Sequence, residues 1–370
     1  MRVLVVGDLQ ILAIDPTSER TKIIKDSLAW VLQVIDHYRP EMFVHLGDLG
    51  ESHQGIDHHS LGLVSQFIAD VGKRFQKGMA FWLAGNHDFY TKDGDVNFMS
   101  SLKPLMEGHN IAVPWSNGPE NTMFCSYLSD KNHLRADLGL VWEENSNCVL
   151  FSHVPIQGAT MRHGCFDPTG VDPNSLPVYT FVGHYHHPGF PTTGSSSGRW
   201  VWYAGSPFSW DYRDNVYGLR PDQQRRGVLL TDVVGGHVVT APMLLENPHT
   251  DYYASFHANI GPDGYPDDSW FRTQFAIPPE RTHLKLVVPR GYESLAEHAL
   301  GSVVKELKIL TQSDEPVTNA TQTAINSNTP AMDVIASYVD SKKQPWNGLN
   351  PESLKTVGCS LMQQQPVVQV

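Results

Sequence analysis

The chain has 370 residues, of which 41% are hydrophobic, so it can bury the cores of two or more domains and is not intrinsically disordered. Its formal net charge of -12 excludes a global basic field, and any polyanion must be bound by a local patch, by metal ions or by another subunit. The 4 cysteines form no Cys-x-x-Cys pair, which excludes a zinc ribbon and indicates a reducing compartment. Because no apolar run has transmembrane or signal-peptide length, we expect a soluble protein of the cytoplasm, or of the host cytoplasm if its source is viral.

Strand and helix patterns alternate at the start of the chain. Apolar runs typical of strands buried on both faces cover residues 3–6, 42–46 and 79–84. The spacing of apolar residues predicts helices at 22–37 and 61–75 between these runs. Such alternation favours a parallel sheet with a site beyond the carboxyl ends of its strands.

Shorter strands follow, and we expect them to form a second sheet. A segment at 156–177 that contains Gly and Pro is interpreted as an active-site loop, and residues 194–198 as a hairpin turn. The strands are predicted at residues 123–128, 148–152, 178–182, 200–204 and 227–234.

The last third of the chain has a different organisation. Residues 242–248 indicate a boundary, beyond which strand patterns at 271–277 and 282–288 and an amphipathic pattern at 295–310 predict a small α/β unit. A polar stretch and two short helical patterns then indicate a linker and a tail that docks on its own domain or on a partner. We therefore predict domains at 1–245 and 246–312, a linker at 313–330 and a helical tail at 331–370.

Polar side chains able to bind metal or move protons follow the predicted strands. Taken singly, a Gly-Asp at a strand end is most often a turn, and His-x-His arises by chance among 18 histidines. We interpret four other histidines, His53, His58, His59 and His187, as surface or supporting groups. The ordered set is much harder to explain by chance; its members are Asp8, Gln10, Asp48, Asn86, His87, His153, His184 and His186. Carboxylate, amide and imidazole donors without thiolate select manganese, magnesium, iron or zinc.

This series of motifs resembles that of the calcineurin-like metallophosphoesterases, over roughly residues 1–240. A narrower resemblance, to SbcD-type DNA repair nucleases, is carried by Phe181-Val182-Gly183-His184-Tyr185-His186-His187-Pro188, Tyr203-Ala204-Gly205-Ser206-Pro207 and Arg226-Gly227-Val228-Leu229-Leu230. The resemblance implies an α/β fold, namely a two-sheet αββα metallophosphoesterase sandwich with a small α/β capping domain. It also implies a helical C-terminal tail that binds an ABC-type ATPase.

The resemblance further implies two divalent metal ions, with manganese preferred and magnesium as the alternative. One ion would be held by Asp8, Gln10, Asp48 and His186. The other would share Asp48 and be held by Asn86, His153 and His184. His87 would be catalytic, facing the scissile phosphate and stabilising the transition state or protonating the leaving oxygen, with Asp88 orienting it. A water molecule activated by the paired ions would attack in line at phosphorus.

Gln10 departs from the pattern of the family, whose first motif normally reads Asp-x-His. An amide oxygen is a weaker donor than imidazole for transition metals. We therefore predict that the first ion binds loosely and that activity depends on added manganese.

Three functions remain open from the sequence. The first is a metal-dependent DNA exonuclease and endonuclease of an SbcCD-type repair and recombination complex, working as a homodimer with DNA and an SbcC-like ABC-type ATPase as partners. Arg220, Arg225 and Arg226 would contribute phosphate contacts there, although a solvated charged loop explains them equally well. The second is a phosphoesterase acting on a small molecule or a phosphoprotein, with the C-terminal unit as a lid. The third is a scaffold whose site has decayed at Gln10.

Overall fold

The computed structural model describes residues 1–12, 15–51, 56–75, 78–90, 97–109, 111–112, 117–127, 147–159, 167–189, 199–209, 225–257, 279–288, 290–291 and 293–311. The chain forms two compact units, Met1–Val288 with Glu293–Leu310 and Pro289–Tyr292 with Thr311–Val370. Several predicted features lie outside the described residues: the hairpin turn at 194–198, the strand at 271–277, the linker at 313–330 and the helical tail at 331–370.

The elements follow the predicted alternation at the start of the chain. The helices are α1 (Glu19–Tyr38), α2 (His58–Gly72), α3 (Phe98–Gly108) and α4 (Glu293–Leu300). The strands are β1 (Arg2–Val6), β2 (Met42–His45), β3 (Ala80–Trp82), β4 (Ile111–Ala112), β5 (Thr122–Cys125), β6 (Val149–His153), β7 (Tyr179–Gly183), β8 (Trp200–Tyr203), β9 (Gly227–Val234), β10 (His237–Val238), β11 (Met243–Glu246), β12 (Tyr252–His257), β13 (Thr282–Val288) and β14 (Glu306–Thr311).

The largest sheet among the described residues has seven strands in the order β10-β9-β1-β2-β3-β4, with β11 beside β9. Strands β1 to β4 are parallel, with Val5 opposite Val44 and Val44 opposite Phe81. One face of this sheet packs against α1, α2 and α3, and the other faces the second sheet. Since β1 and β2 are buried on both faces, their continuous apolar runs are explained.

Strand β9 corrects one prediction, because residues 227–234 were expected to finish the second sheet. They instead lie in the first sheet, antiparallel to β1, with Leu4 opposite Leu230. Val228 and Leu230 pack on the helical side, whereas Leu229 and Val233 pack between the sheets. A strand with both faces apolar suits an interior position in either sheet, and its local pattern does not say which one.

The second sheet consists of four parallel strands in the order β5-β6-β7-β8. Each strand contributes one ring to a stack across its inner face, and the centroid distances are 5.5 Å from Phe124 to Phe151, 5.3 Å from Phe151 to Phe181 and 5.2 Å from Phe181 to Trp202. Phe81 of the first sheet stacks on Phe124 at 4.2 Å, which joins the two sheets. The result is the α/β sandwich expected from the sequence.

A third sheet, in the order β12-β13-β14, packs with α4 around Leu284, Leu286 and Leu300. The amphipathic pattern at 295–310 is not one helix: α4 ends at Leu300, and β14 begins at Glu306. In β14, Leu307 and Ile309 pack inward while their neighbours Glu306 and Lys308 are exposed, so the period is two. Within the described residues, no helix is long and apolar enough to cross a membrane.

Candidate metal centre

The strand ends of both sheets bring the predicted ligands together. Asp8 and Asp48 follow β1 and β2 of the first sheet, and His153 ends β6 of the second. One ligand atom from each of these three residues lies within 4.8 Å of the other two, and all three side chains are buried. Two carboxylates and an imidazole, held this close and away from water, form a site whose charge calls for a cation.

The loop that carries Asp48 has an uncommon backbone. Gly47 and Asp48 have positive φ angles of 102° and 55°. A Cβ atom on Gly85 would lie 2.1 Å from Asp48 Oδ1, so the chain after β3 can approach the ligand only as glycine. The Gly47-Asp48 and Gly85-Asn86 motifs are therefore packed against each other.

Asp88 is 2% exposed and holds this loop together. Its carboxylate accepts hydrogen bonds from the backbone N–H groups of Asp48 (2.9 Å), Leu49 (3.0 Å), Gly50 (3.1 Å) and Gly85 (2.8 Å). Burial and the Asp48 carboxylate raise the pKa of Asp88, and the backbone donors oppose this. These contacts indicate that Asp88 orients the ligand loop, whereas the sequence interpretation paired it with His87.

His87 lies beside the ligands, and its side chain is 24% exposed. Its backbone N–H donates to Asp48 Oδ1 at 2.8 Å, and Nδ1 lies 2.9 Å from Glu51 O. A carbonyl oxygen can only accept, so Nδ1 carries the hydrogen and Nε2 is the atom left to exchange a proton.

The side-chain oxygen of Asn86 lies close to two histidines, His153 and His184. Asn86 Oδ1 lies 3.0 Å from His153 Nε2 and 2.7 Å from His184 Nδ1. His153 Nδ1 donates to Leu46 O at 2.8 Å, so in neutral His153 both Nε2 and Asn86 Oδ1 are acceptors. Burial and the neighbouring His153 lower the pKa of His184 to about 3, which keeps that imidazole in the neutral form that binds metals.

Asp8 and Gln10 also lie beside Asp48. Asp8 Oδ1 accepts from His184 N at 2.8 Å, while the buried Oδ2 has no hydrogen-bond partner. Burial raises the pKa of Asp8 overall, although His153 opposes the shift. Gln10 Nε2 lies 3.4 Å from Asp48 Oδ2, and the Gln10 backbone N–H donates to Asp48 O at 2.7 Å. His186 is 8% exposed and close enough to lower the pKa of Asp8.

The residues present therefore fit a divalent-cation site. An unpaired buried carboxylate oxygen and two facing acceptors are costly without a positive charge between them. Carboxylate, amide and neutral imidazole donors suit hard or borderline divalent ions.

Arg226 supports the site in a way the sequence interpretation missed. Its side chain is 1% exposed, and its guanidinium donates to His186 O and, at 3.1 Å, to Ser209 Oγ. The suggestion that Arg226 contacts a bound phosphate is therefore wrong. Arg225 pairs with Glu246 at 2.7 Å, and Arg220 lies outside the described residues. The available signal was the position of Arg226 directly before the buried strand β9.

Two aromatic side chains near the ligands were also missed. The Tyr127 ring lies parallel to His184 at 6.4 Å and edge-on to His153 at 6.1 Å, and burial raises its pKa. His45 is fully buried beneath the site, and burial lowers its pKa to about 3, so it stays neutral. Neither residue belongs to a recognisable motif, since His45 is the last residue of β2 and Tyr127 comes shortly after β5.

Comparison with known proteins agrees with this geometry. A family model described as calcineurin-like phosphoesterase matches residues 1–188. No curated protein matched the chain. The matched residues span half of the chain and contain every ligand considered above. The chain thus belongs to the calcineurin-like phosphoesterase family, whose members are hydrolases that depend on two metal ions.

Proposed function

We propose that this phosphoesterase is a DNA exonuclease and endonuclease, the nuclease subunit of an SbcCD-type repair and recombination complex. Its partners would be DNA, an SbcC-like ABC-type ATPase and a second copy of the chain, and its preferred ion would be manganese. The acidic net charge of -12 is compatible with this assignment if metal ions, a local patch and the ATPase supply the phosphate contacts.

The nuclease assignment is supported by the motifs that carry the resemblance to SbcD-type nucleases. The two segments that carry the resemblance to SbcD-type nucleases after β7 both support the carbonyl of His186. Ser206 N donates to His186 O at 3.0 Å, and Arg226 donates to the same oxygen. A Cβ atom on Gly7 would lie 2.1 Å from Gly205 O, so the 203–207 segment also lies against the Gly7-Asp8 turn. These motifs are therefore part of the site.

Different side chains would bind the metal ions, contact the phosphate and position the ligands. When bound, two divalent ions supply positive charge at the phosphate and lower the pKa of water. Asp8, Gln10, Asp48 and His186 would hold one ion, and Asp48, Asn86, His153 and His184 the other. His87, fixed through Nδ1 to Glu51 O, would stabilise charge on the phosphate or donate a proton from Nε2 to the leaving oxygen. Asp88 maintains the position of Asp48 through the backbone.

The proposal is tested by offering the chain, with manganese, duplex DNA with labelled ends, closed circular single-stranded DNA and bis(p-nitrophenyl) phosphate, each with and without an SbcC-like ATPase. We expect cleavage of both DNA substrates. The His87→Ala variant should lose roughly 100-fold or more in rate, the usual contribution of a general acid, while manganese binding by calorimetry is retained. Hydrolysis of the small diester without cleavage of any DNA would contradict the nuclease assignment.

The second candidate is a phosphoesterase for a small molecule or a phosphoprotein, with residues after 246 as a lid. The strongly acidic charge favours it, because a substrate with few phosphates needs no extended basic surface. The comparison of substrates above separates the two candidates, and any turnover by the purified chain excludes the scaffold alternative.

A further inference from the structure

A cavity of about 350 Å³ opens directly beside His87. It lies between the loop after β2 and the first turns of α2 and α3, and His87 and Asp88 form part of its wall. Among the described residues, most of the remaining lining is apolar and consists of Ile11, Leu12, Ile56, Leu61, Phe98 and Leu102. We call this cavity the base pocket. Its volume lies in the range of about 300–1,000 Å³ that is usual for small-molecule sites.

The described apolar lining of the base pocket disfavours a phosphate as its occupant, because burying an anion against aliphatic side chains is unfavourable. The position next to His87 nevertheless requires that the occupant be close to the phosphate being cleaved. The base pocket therefore suits an apolar ring joined to that phosphate by a few bonds. A nucleobase has this character.

The rim of the base pocket adds the features that a heterocycle needs. Tyr90 lines it and is 65% exposed, so its ring face is available for stacking. Glu51, Asn97 and Ser101 also line it and offer hydrogen-bonding groups to the polar edge of a base. An apolar floor with a polar rim resembles other sites that accept a base without strict sequence preference.

We infer that the base pocket binds one unstacked nucleobase of the nucleotide next to the scissile phosphate. The inference rests on the proposed function, since it assumes a nucleic-acid substrate. It adds that a base must leave the duplex before cleavage, so frayed, mismatched or single-stranded ends are favoured over fully paired ends.

The test uses calorimetry and does not depend on turnover. Thymidine 5′-monophosphate and 2-deoxyribose 5-phosphate, which lacks the base, are titrated into the full chain with manganese. We expect the nucleotide to bind roughly 10-fold or more tightly, the scale of one stacked base. In Ser101→Trp, which adds a ring at a residue that lines the base pocket, this ratio should fall to near one.

Matched variants control for bulk and for the ring. Glu107→Trp places the same ring near the end of α3, at a position that is exposed and does not line the cavity, and should keep the wild-type ratio. Tyr90→Phe should also keep it, whereas Tyr90→Ala should lower it.

The inference that the base pocket binds a nucleobase would be wrong if the wild type bound thymidine 5′-monophosphate and 2-deoxyribose 5-phosphate equally, or bound neither. It would also be wrong if the ratio were unchanged in Ser101→Trp, or if a phosphotyrosine peptide bound more tightly than the nucleotide. Failure of the nuclease proposal is recognised separately, by the absence of DNA cleavage.

Discussion

Gly47 precedes Asp48, a predicted metal ligand, and has a φ of 102°, in a region that side chains rarely adopt. A Cβ atom there would lie 2.7 Å from Gly85 N and 2.7 Å from His153 Nδ1. We expect Gly47→Ala to lower the free energy of unfolding by at least about 2 kcal/mol and to weaken manganese binding. The added methyl group would strain the backbone at a positive φ and would also overlap Gly85 and His153. Urea unfolding and calorimetry would measure the two effects.

Gly62 provides the control for that substitution. It lies in α2, is exposed, and has no atom within 4 Å of the position of an added Cβ. Gly62→Ala should therefore stabilise the protein by about 0.5–1 kcal/mol through helix propensity, without changing metal binding. Equal effects of the two substitutions would contradict the steric argument.

Gln10 is the residue at which the donor set departs from the family pattern. Its side-chain amide lies 3.4 Å from Asp48 Oδ2, so position 10 faces the shared carboxylate. Gln10→His should bind manganese more tightly, and its activity should saturate at a lower manganese concentration, since imidazole is the stronger donor. Titration of the metal-free proteins would show this. If the wild type keeps two tightly bound ions per chain through purification, the weak-site hypothesis is wrong.

At the scale of elements, the two arginines just before β9 differ in burial, since one is buried and the other is exposed. Arg226 is buried and donates to His186 O, whereas Arg225 forms an exposed pair with Glu246. We expect Arg226→Lys to cost about 1.5–3 kcal/mol of stability and to weaken metal binding, because a hydrogen bond from a charged donor is lost inside the protein. Arg225→Ala should cost no more than about 1 kcal/mol. Thermal unfolding and manganese titration of both variants would compare them.

The third sheet is joined to α1 by a cluster of charges. His283 lies between Asp251 (2.9 Å) and Glu306 (2.6 Å), and Lys305 contacts Asp251 (2.6 Å) and Glu19 (2.8 Å). Burial lowers the pKa of His283, but the carboxylate contacts outweigh it and raise that pKa above the ordinary value.

A raised histidine pKa contributes stability that is complete below the pKa of the unfolded chain and is lost as pH rises through the folded value. The stability advantage of the wild type over His283→Gln should therefore be larger at pH 6 than at pH 8.5. Chemical unfolding of both proteins at the two pH values measures the difference. An advantage that is constant or grows with pH would show that His283 acts only by packing.

The elements differ in how far their sequences define them. The strands and helices before residue 85 were predictable because each has one clear period and ends in a turn motif. Helix α3 was not predicted, because Pro104 lies inside it, although Asn97 caps it by accepting from Ser100 N at 2.8 Å. The assignment of β9 to a sheet and the division of 295–310 into α4 and β14 depend on long-range pairing, which local periodicity does not contain.

For the molecule as a whole, the site concentrates buried negative charge that a metal would neutralise. Asp8 is 0% and Asp48 1% exposed. Saturating manganese, at about 100 times its dissociation constant, should stabilise the protein by about 2.7 kcal/mol per site. Asp48→Asn should gain little from manganese, because the charged oxygen that would bind the ion is replaced by a neutral amide. Thermal unfolding with a chelator and with manganese would measure the gain of each protein, and Glu107→Gln, an exposed change, should keep the wild-type gain.

The strand-end motifs could be recognised from the sequence, whereas the groups that support them could not. Parallel strands deliver side chains to one edge of a sheet, and the structure brings Asp8, Asp48 and His153 within 4.8 Å of one another there. The supporting roles of Arg226 and Tyr127 arise from contacts between segments far apart in sequence, so no spacing rule reveals them. The hydrogen bonds from the backbone of the Asp48 loop to Asp88 also join segments far apart in sequence, so no spacing rule reveals them either.

Three of the predicted ligands, Gln10, Asp48 and His184, have positive φ angles of 40°, 55° and 96°. Because glycine adopts such angles without strain, replacing one of these side chains by glycine removes a donor and preserves the path of the chain. Asp48→Gly is thus a route to a folded but inert protein that could hold an uncleaved substrate for crystallography, where alanine at the same position would keep the backbone strain.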